Sequence, residues 1–236
     1  MPEGGDAVRA AGAGSRPVRA ALIDLDGTLL DTAPDLAAAM SATLAELGLA
    51  PVEPARVRDF VGRGIAALVE RALEAALGGA PDRALRERAE ARFAQHYERL
   101  NGASAVPFPG VVEGLRAMRE QALALACVTN KASRFALPLL AKTGLAPFFD
   151  AVVTADLAGA RKPDAAIFLE ACRRLGVAAE EACVIGDSAL DAEGARAAGC
   201  RILLVPYGYR EGRALAQIAC DGVVETLQEA ARRFAR

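Results

Sequence analysis

Asp24 and Asp26 stand two residues apart at the end of the apolar run that begins at Ala20, and Gly27 and Thr28 follow them. In an extended segment residues i and i+2 project to the same side, so both carboxylates can face one site. Two further acids, Asp187 and Asp191, follow the run "ACVI". Carboxylates crowded at one site need a cation, and a set of oxygen ligands alone suits Mg²⁺. Thr129 closes a third apolar run and Lys162 follows a fourth. A hydroxyl and a point positive charge both suit phosphate oxygens. The Gly27–Thr28 turn can offer backbone N–H groups to an oxyanion. A carboxylate nucleophile beside a second carboxyl with acid–base duty is a recognised covalent route. Singly, these residues have ordinary readings. Asp26–Gly27 is a turn, Lys162 a solvated loop lysine, Asp187 a helix N-cap. Their occurrence at four separate strand ends points to one rim of one site, because ligands of open parallel sheets bind outside the carboxyl ends of the strands.

The elements that must position them are short apolar runs. "ALIDLD" (20–25), "LALACVT" (123–129), "AVVT" (151–154), "ACVIGD" (182–187) and "RILLVP" (201–206) read as buried strands. Helical patterns lie between the last four. One ends at Gly144, one runs from Pro163 to Gly176, and one ends at Gly199. The alternation predicts an α/β fold, a Rossmann-like parallel sheet with helices on both faces. The first strand is separated from the second by about a hundred residues, nearly all with helical period. We read 32–103 as a helical insertion, a cap domain fed into the first crossover, with 17–31 and 104–236 as the catalytic core and 1–16 as a flexible leader. Either Asp31 or Thr32 is expected to cap the first inserted helix ahead of Pro34, with Asp31 outside the catalytic set.

Bulk composition narrows the classes. The 236 residues carry 28 basic and 30 acidic side chains, a net charge of −2, so neither nucleic acid nor an anionic membrane is an expected partner. Five cysteines without CxxC spacing read as reduced thiols filling the core of a cytoplasmic protein. A single histidine, His96, leaves no His-based metal cluster and is expected at or near the surface. No apolar run reaches membrane-spanning length.

"DLDGT", "TN", "KP" and "GDSALD", in that order, resemble the four motifs of the haloacid dehalogenase-like phosphohydrolases, and the helical insertion resembles their small α-helical cap. The resemblance covers roughly residues 18–230. It implies that Asp24 attacks phosphorus and becomes an aspartyl-phosphate. It implies that Asp26 protonates the leaving alkoxide and then deprotonates the hydrolytic water. Mg²⁺ would be held by Asp24, the backbone carbonyl of Asp26, and Asp187, with Asp191 in support. Thr129, Lys162 and the backbone N–H of Asn130 would bind the phosphoryl group. "FVGRGIAALVERAL", "YERLNGASAVPFPGV", "VTNK", "AAGC" and "YGYREG" are similar to the bacterial phosphoglycolate phosphatases of that family, which implies 2-phosphoglycolate as substrate.

That substrate carries a carboxylate beside its phosphate, so a further cation is expected near the leaving group. Arg63, between two glycines, and Lys131 are the candidates. The likeness leaves other small phosphate esters such as phosphosugars, and a sugar phosphomutase, as alternatives. A more distant one is a non-catalytic binding module on the same fold. A dehalogenase would lack Asp26, and a phosphonate hydrolase would need a cap lysine, whereas no lysine precedes Lys131. The expected partner is a small-molecule phosphate ester, and the expected assembly a monomer or homodimer.

Overall fold

A computed structural model describes residues 16–235, so the leader expected over 1–16 lies outside the described residues except for Arg16. The chain runs β1 (Ala20–Ile23), β2 (Leu30–Asp31), α1 (Ala33–Glu46), α2 (Pro54–Asp59), α3 (Ile65–Leu77) and α4 (Arg83–Leu100). It continues through β3 (Val106–Pro107), α5 (Val111–Glu120), β4 (Ala124–Thr129), α6 (Ser133–Lys142), β5 (Ala151–Thr154), α7 (Ala155–Ala158) and α8 (Ala165–Leu175). It closes with β6 (Ala182–Gly186), α9 (Ala189–Ala198), β7 (Arg201–Leu204), β8 (Gly222–Val223) and α10 (Leu227–Phe234).

Six strands form one parallel sheet in the order β5-β4-β1-β6-β7-β8. Successive side chains of a strand point to opposite faces. Accordingly Ala21 and Ile23 join one buried cluster, with Leu115, Met118, Leu139 and Leu227 from α5, α6 and α10. Ala20 and Leu22 join the other, with Ile167, Phe168, Ala192 and Ala195 from α8 and α9. Strands buried on both faces read as continuous apolar runs, which is why all five expected strands are found. Three of them, β1, β6 and β7, are shorter than expected at their carboxyl ends, while β4 and β5 end where expected. β1 stops at Ile23, where Asp24 and the turn beyond it leave the ladder, and β7 stops at Leu204, two residues before Pro206, which has no N–H to give. β8, and the antiparallel pair β2–β3, were not expected; at two residues each they are too short to show a period.

Register puts the chemistry at one edge. Ile23 of β1 lies opposite both Cys127 of β4 and Ile185 of β6. Asp24 therefore leaves the central strand one residue beyond that row, and Thr129 and Asp187 lie two beyond it on either side. Helices α1–α4 fill the segment between β2 and β3 and bury their own cluster, including Leu36, Met40, Val69, Phe93 and Tyr97. Phe135 and Tyr209, from outside the insertion, pack into the same cluster.

Helix ends follow the expected glycines at Gly176 and Gly199, both left-handed. The start of α8 is corrected by one step: Asp164, not Pro163, opens it, its Oδ1 accepting from the Ala166 N–H at 2.9 Å. All five cysteines are free and four are buried. His96 sits within 2.9 Å of Glu46 on the outer side of the insertion. Among the described residues no helix is long and apolar enough to cross a membrane.

Candidate active site

The sheet edge gathers Asp24, Asp26, Thr129, Lys162, Asp187 and Asp191. Lys162 Nζ donates to Asp24 Oδ1 at 2.5 Å and to Asp191 Oδ1 at 2.8 Å. Its side chain is 4% exposed. Burial opposes the charge on its ammonium, but Asp191 and Asp24 outweigh burial and hold its pKa above the ordinary lysine value. Asp191 spends its other oxygen on the start of α9. There Oδ2 accepts from Ser188 Oγ (2.6 Å) and Ser188 N–H (3.2 Å), and the Ser188 hydroxyl caps the helix in return. Both Asp191 oxygens are thus engaged, and the residue aims Lys162.

Asp187 is held from two directions. Thr28 Oγ1 donates to its Oδ1 at 2.8 Å, and the Tyr209 N–H to its Oδ2 at 2.5 Å. Gly27 (φ +94°) and Gly208 press against this carboxylate so closely that a Cβ at either position would overlap it. Burial raises the Asp187 carboxyl well above the ordinary range, and the neighbouring charges of Asp24 and Asp191 raise it further. Burial likewise raises Asp24 to about 7, against the pull of Lys162.

Asp26 Oδ1 accepts from Lys131 Nζ (2.8 Å) and Thr32 Oγ1 (2.6 Å). Both bonds fall on one oxygen, and Asp26 lines the cavity beside Asp24. Lys131 is buried, with its ammonium 4.9 Å from the centre of the Tyr97 ring of α4. Burial works to lower its pKa, but Asp26 beside it keeps the ammonium charged. Thr129 Oγ1 accepts from the Lys131 N–H at 3.1 Å, which fixes the turn after β4. Asn130 ties three segments together. Its Oδ1 accepts from the Lys162 N–H, and its Nδ2 donates to the carbonyls of Lys162 and of Gly62 in the insertion.

One oxygen from each of Asp24, Asp187 and Asp191 lies within 4.8 Å of the others. The site as a whole holds four carboxylates against two ammonium groups, so two negative charges are unbalanced. That surplus suits a divalent cation bound by hard oxygen ligands, and the cluster of Asp24, Asp187 and Asp191 could hold one.

Asp24, Asp26, Asp187, Thr129, Lys131 and Lys162 line a cavity of about 50 Å³, with Asp191 behind them. Its roof comes from the insertion: Leu36 of α1, Val61, and Ile65 and Leu68 of α3, with the backbone of Gly62 and Gly64. Arg63, a sequence candidate for substrate contact, is not in the lining. Its Nε and Nη2 donate to Glu211 at 2.8 and 3.1 Å. A guanidinium turned into an apolar roof would lose hydration with no partner, whereas this carboxylate offers a bidentate one. Asp31 and Thr32 are corrected too. Neither side chain caps α1; the Tyr209 hydroxyl accepts from the Thr32 and Ala33 N–H groups (2.8 and 3.0 Å) and donates to Asp31. Tyr209 and Glu211 had no assigned part in the sequence reading, although "YGYREG" was conspicuous.

A parallel α/β sheet with acids at the ends of its two central strands, a buried lysine joining the first of them to Asp191, and a helical roof defines a hydrolase of the capped, carboxylate-centred class. Residues 18–199 match the family described as haloacid dehalogenase-like hydrolase, and the chain belongs to that family. A phosphoglycolate phosphatase of Nitrosospira multiformis is 45% identical over 216 residues, covering 92% of this chain and 95% of the relative. One of Thiobacillus denitrificans is also 45% identical, over 91% of this chain and 95% of its own. A crystal structure of a predicted phosphoglycolate phosphatase from Haemophilus somnus superposes with a TM-score of 0.88 at 26% identity, over 93% of this chain and 99% of the other.

Proposed function

We propose that this protein hydrolyses 2-phosphoglycolate to glycolate and phosphate through an aspartyl-phosphate on Asp24, with Mg²⁺ as cofactor. The observation that carries this reading is the cavity, which is small, sets Lys131 and Lys162 among the carboxylates of its floor, and is apolar on its roof. About 10–15 Å³ of such space admits one water-sized group, so 50 Å³ favours a short substrate. The roof supplies no polar side chain to recognise the hydroxyls of a sugar, which disfavours the phosphosugar and mutase alternatives. The relatives named above support the same substrate.

In this reading the helices of 32–103 are a cap that excludes water while Asp24 attacks and then admits it. Asp24, Asp187 and the Asp26 carbonyl would hold Mg²⁺, which when bound supplies the positive charge that screens the phosphate from the carboxylates. Lys162 and Thr129 bind phosphoryl oxygens, and Lys162 also orients Asp24 through the bond to Oδ1. Asp26 delivers a proton to the leaving oxygen and takes one from the hydrolytic water. Asp191 supports the site by aiming Lys162.

Lys131 contacts the acid–base residue and so lies on the leaving-group side. With Arg63 turned away, Lys131 is the cation for the glycolate carboxylate. In Lys131→Met the KM for 2-phosphoglycolate should rise about 10- to 100-fold, the worth of one charge-assisted contact. The KM for p-nitrophenyl phosphate, which lacks that carboxylate, should stay within about two-fold. Steady-state kinetics on the two esters, with Mg²⁺ or EDTA, checks both statements. An unchanged KM for phosphoglycolate removes Lys131 from recognition. Metal-dependent release spread evenly over phosphosugars would discard the named substrate.

A further inference from the structure

The loop after β7, Pro206–Gly212, touches both the core rim and the helical insertion, and the reaction as described gives it no task. At its centre the Tyr209 N–H holds Asp187, while the hydroxyl of the same residue holds the start of α1 and Asp31. One residue, through its backbone N–H at one end and its hydroxyl at the other, therefore spans a carboxylate of the metal site and the point where the chain enters the helical insertion. Tyr209 is 3% exposed. Tyr207 reaches the other crossing. Its hydroxyl donates to the Thr28 carbonyl at 3.1 Å, and its ring packs 4.4 Å from Phe108, just beyond β3.

From above, the insertion grips the same loop. Arg58 of α2 donates to the Tyr207 carbonyl at 3.0 Å and lies 4.9 Å over the Tyr209 ring. Glu211 receives Arg63 at 2.8 Å and Arg71 of α3 at 2.8 Å, with only 11% of its side chain exposed. Glu211 also holds φ at +49°, a region that side-chain-bearing residues seldom adopt and that persists where surrounding contacts enforce it. Three arginines of the insertion thus converge on three residues of one core loop.

We propose that Tyr209 and Glu211 are positioning residues that couple closure of the helical insertion to the geometry of Asp187. Glu211 latches the closed position through Arg63 and Arg71. Tyr209 transmits it, because tightening Asp187 fixes the backbone at 209 and with it the hydroxyl that anchors α1. Coupling of this kind is reciprocal: filling the metal site favours closure, and closure tightens the metal site. The inference rests on the metal reading above but not on which ester is the substrate.

The test reads the distance between spin labels at Leu77→Cys on α3 and Leu169→Cys on α8. Both positions are exposed, and Cys220 is replaced by Ser. The probes are Mg²⁺ alone and Mg²⁺ with inorganic phosphate. In the otherwise native protein, Mg²⁺ should raise the closed-to-open ratio at least about five-fold. Glu211→Gln should lower the closed fraction under every condition and raise KM about five-fold with kcat within about two-fold. Glu211→Asp should recover part of both. Tyr209→Phe keeps the backbone bond to Asp187 but loses the hydroxyl, so Mg²⁺ should still bind by calorimetry while the closure it induces shrinks. A purely structural role would lower the melting temperature and leave the Mg²⁺-dependent shift intact. That result, or a Glu211→Gln protein with native distances and KM, overturns the proposal. Failure to hydrolyse phosphoglycolate with the Mg²⁺-dependent shift present would discard the named substrate and leave the coupling standing.

Discussion

Asp24→Asn should reduce phosphate release by on the order of 10⁴-fold or more, to the floor of the assay, for every ester the protein hydrolyses. The residue is buried on the central strand, one position past the last ladder pair, and Lys162 fixes one of its oxygens. An amide of the same shape keeps that position but cannot form the acyl-phosphate. The same variant should change how stability depends on pH in EDTA. In the metal-free native site burial holds the Asp24 carboxyl at about 7, whereas in the unfolded chain it ionises near 4. Between these values the native state keeps a proton that the unfolded state has released. Stability contributed by this group is therefore full below about pH 4 and is lost as pH rises through about 7. The native protein in EDTA should lose on the order of a few kcal/mol between pH 5 and 8. Asp24→Asn should flatten that decline, and added Mg²⁺ should flatten it for the native protein. Thermal melts at several pH values, with and without metal, check this. A metal-free pH profile left unchanged by Asp24→Asn would mean that Asp24 does not hold the raised carboxyl.

The site was legible in sequence where the chemistry and the element that carries it are neighbours in the chain. Asp24, Thr129 and Asp187 each end an apolar run, and parallel register then brings three distant runs to one row. Lys162 has no strand to mark it out, since seven residues separate it from β5, and it became legible only in the order of the four motifs. What could not be read was pairing between long side chains on segments far apart. Arg63 was expected at the cavity because its flanking glycines allow a close approach, and Gly62 and Gly64 do line it. The direction of the side chain was decided by Glu211, 148 positions away, which no local pattern marks. In the same way the cap of α1 was sought in Asp31 or Thr32, the residue types that usually serve. The acceptor is a tyrosine hydroxyl 177 positions later, and Thr32 Oγ1 is spent on Asp26 instead. β8 and the β2–β3 pair escaped for a simpler reason, since two residues cannot display a period.

Lys162→Met should cost both activity and stability, and the two losses should respond differently to metal. The methionine fills similar space without charge, and it leaves Asp24 and Asp191 facing each other with no ammonium between them. Removing one partner of a buried ion pair typically costs about 3–5 kcal/mol, because the remaining charge is uncompensated. The metal-free variant should therefore melt well below the native protein at pH 8. It should recover as pH falls and Asp24 takes up its proton. On the proposed metal reading Mg²⁺ would bind only the folded site and relieve the same repulsion, so the rise in melting temperature on adding it should be larger for the variant than for the native protein. Activity should not recover with it. The phosphoryl oxygens lose their point charge and Asp24 loses its orienting bond, so kcat/KM should remain about 10³-fold down at saturating Mg²⁺. Lys162→Arg should keep the charge but not the fit, since a planar guanidinium cannot occupy the 4%-exposed slot between Asp24 and Asp191 without displacing one of them. Its metal-free stability should exceed that of Lys162→Met while its kcat/KM stays low. If Mg²⁺ restored turnover to Lys162→Met as well as stability, the lysine would be a structural counter-ion alone, and phosphate binding would have to be reassigned to Thr129 and the backbone beside it.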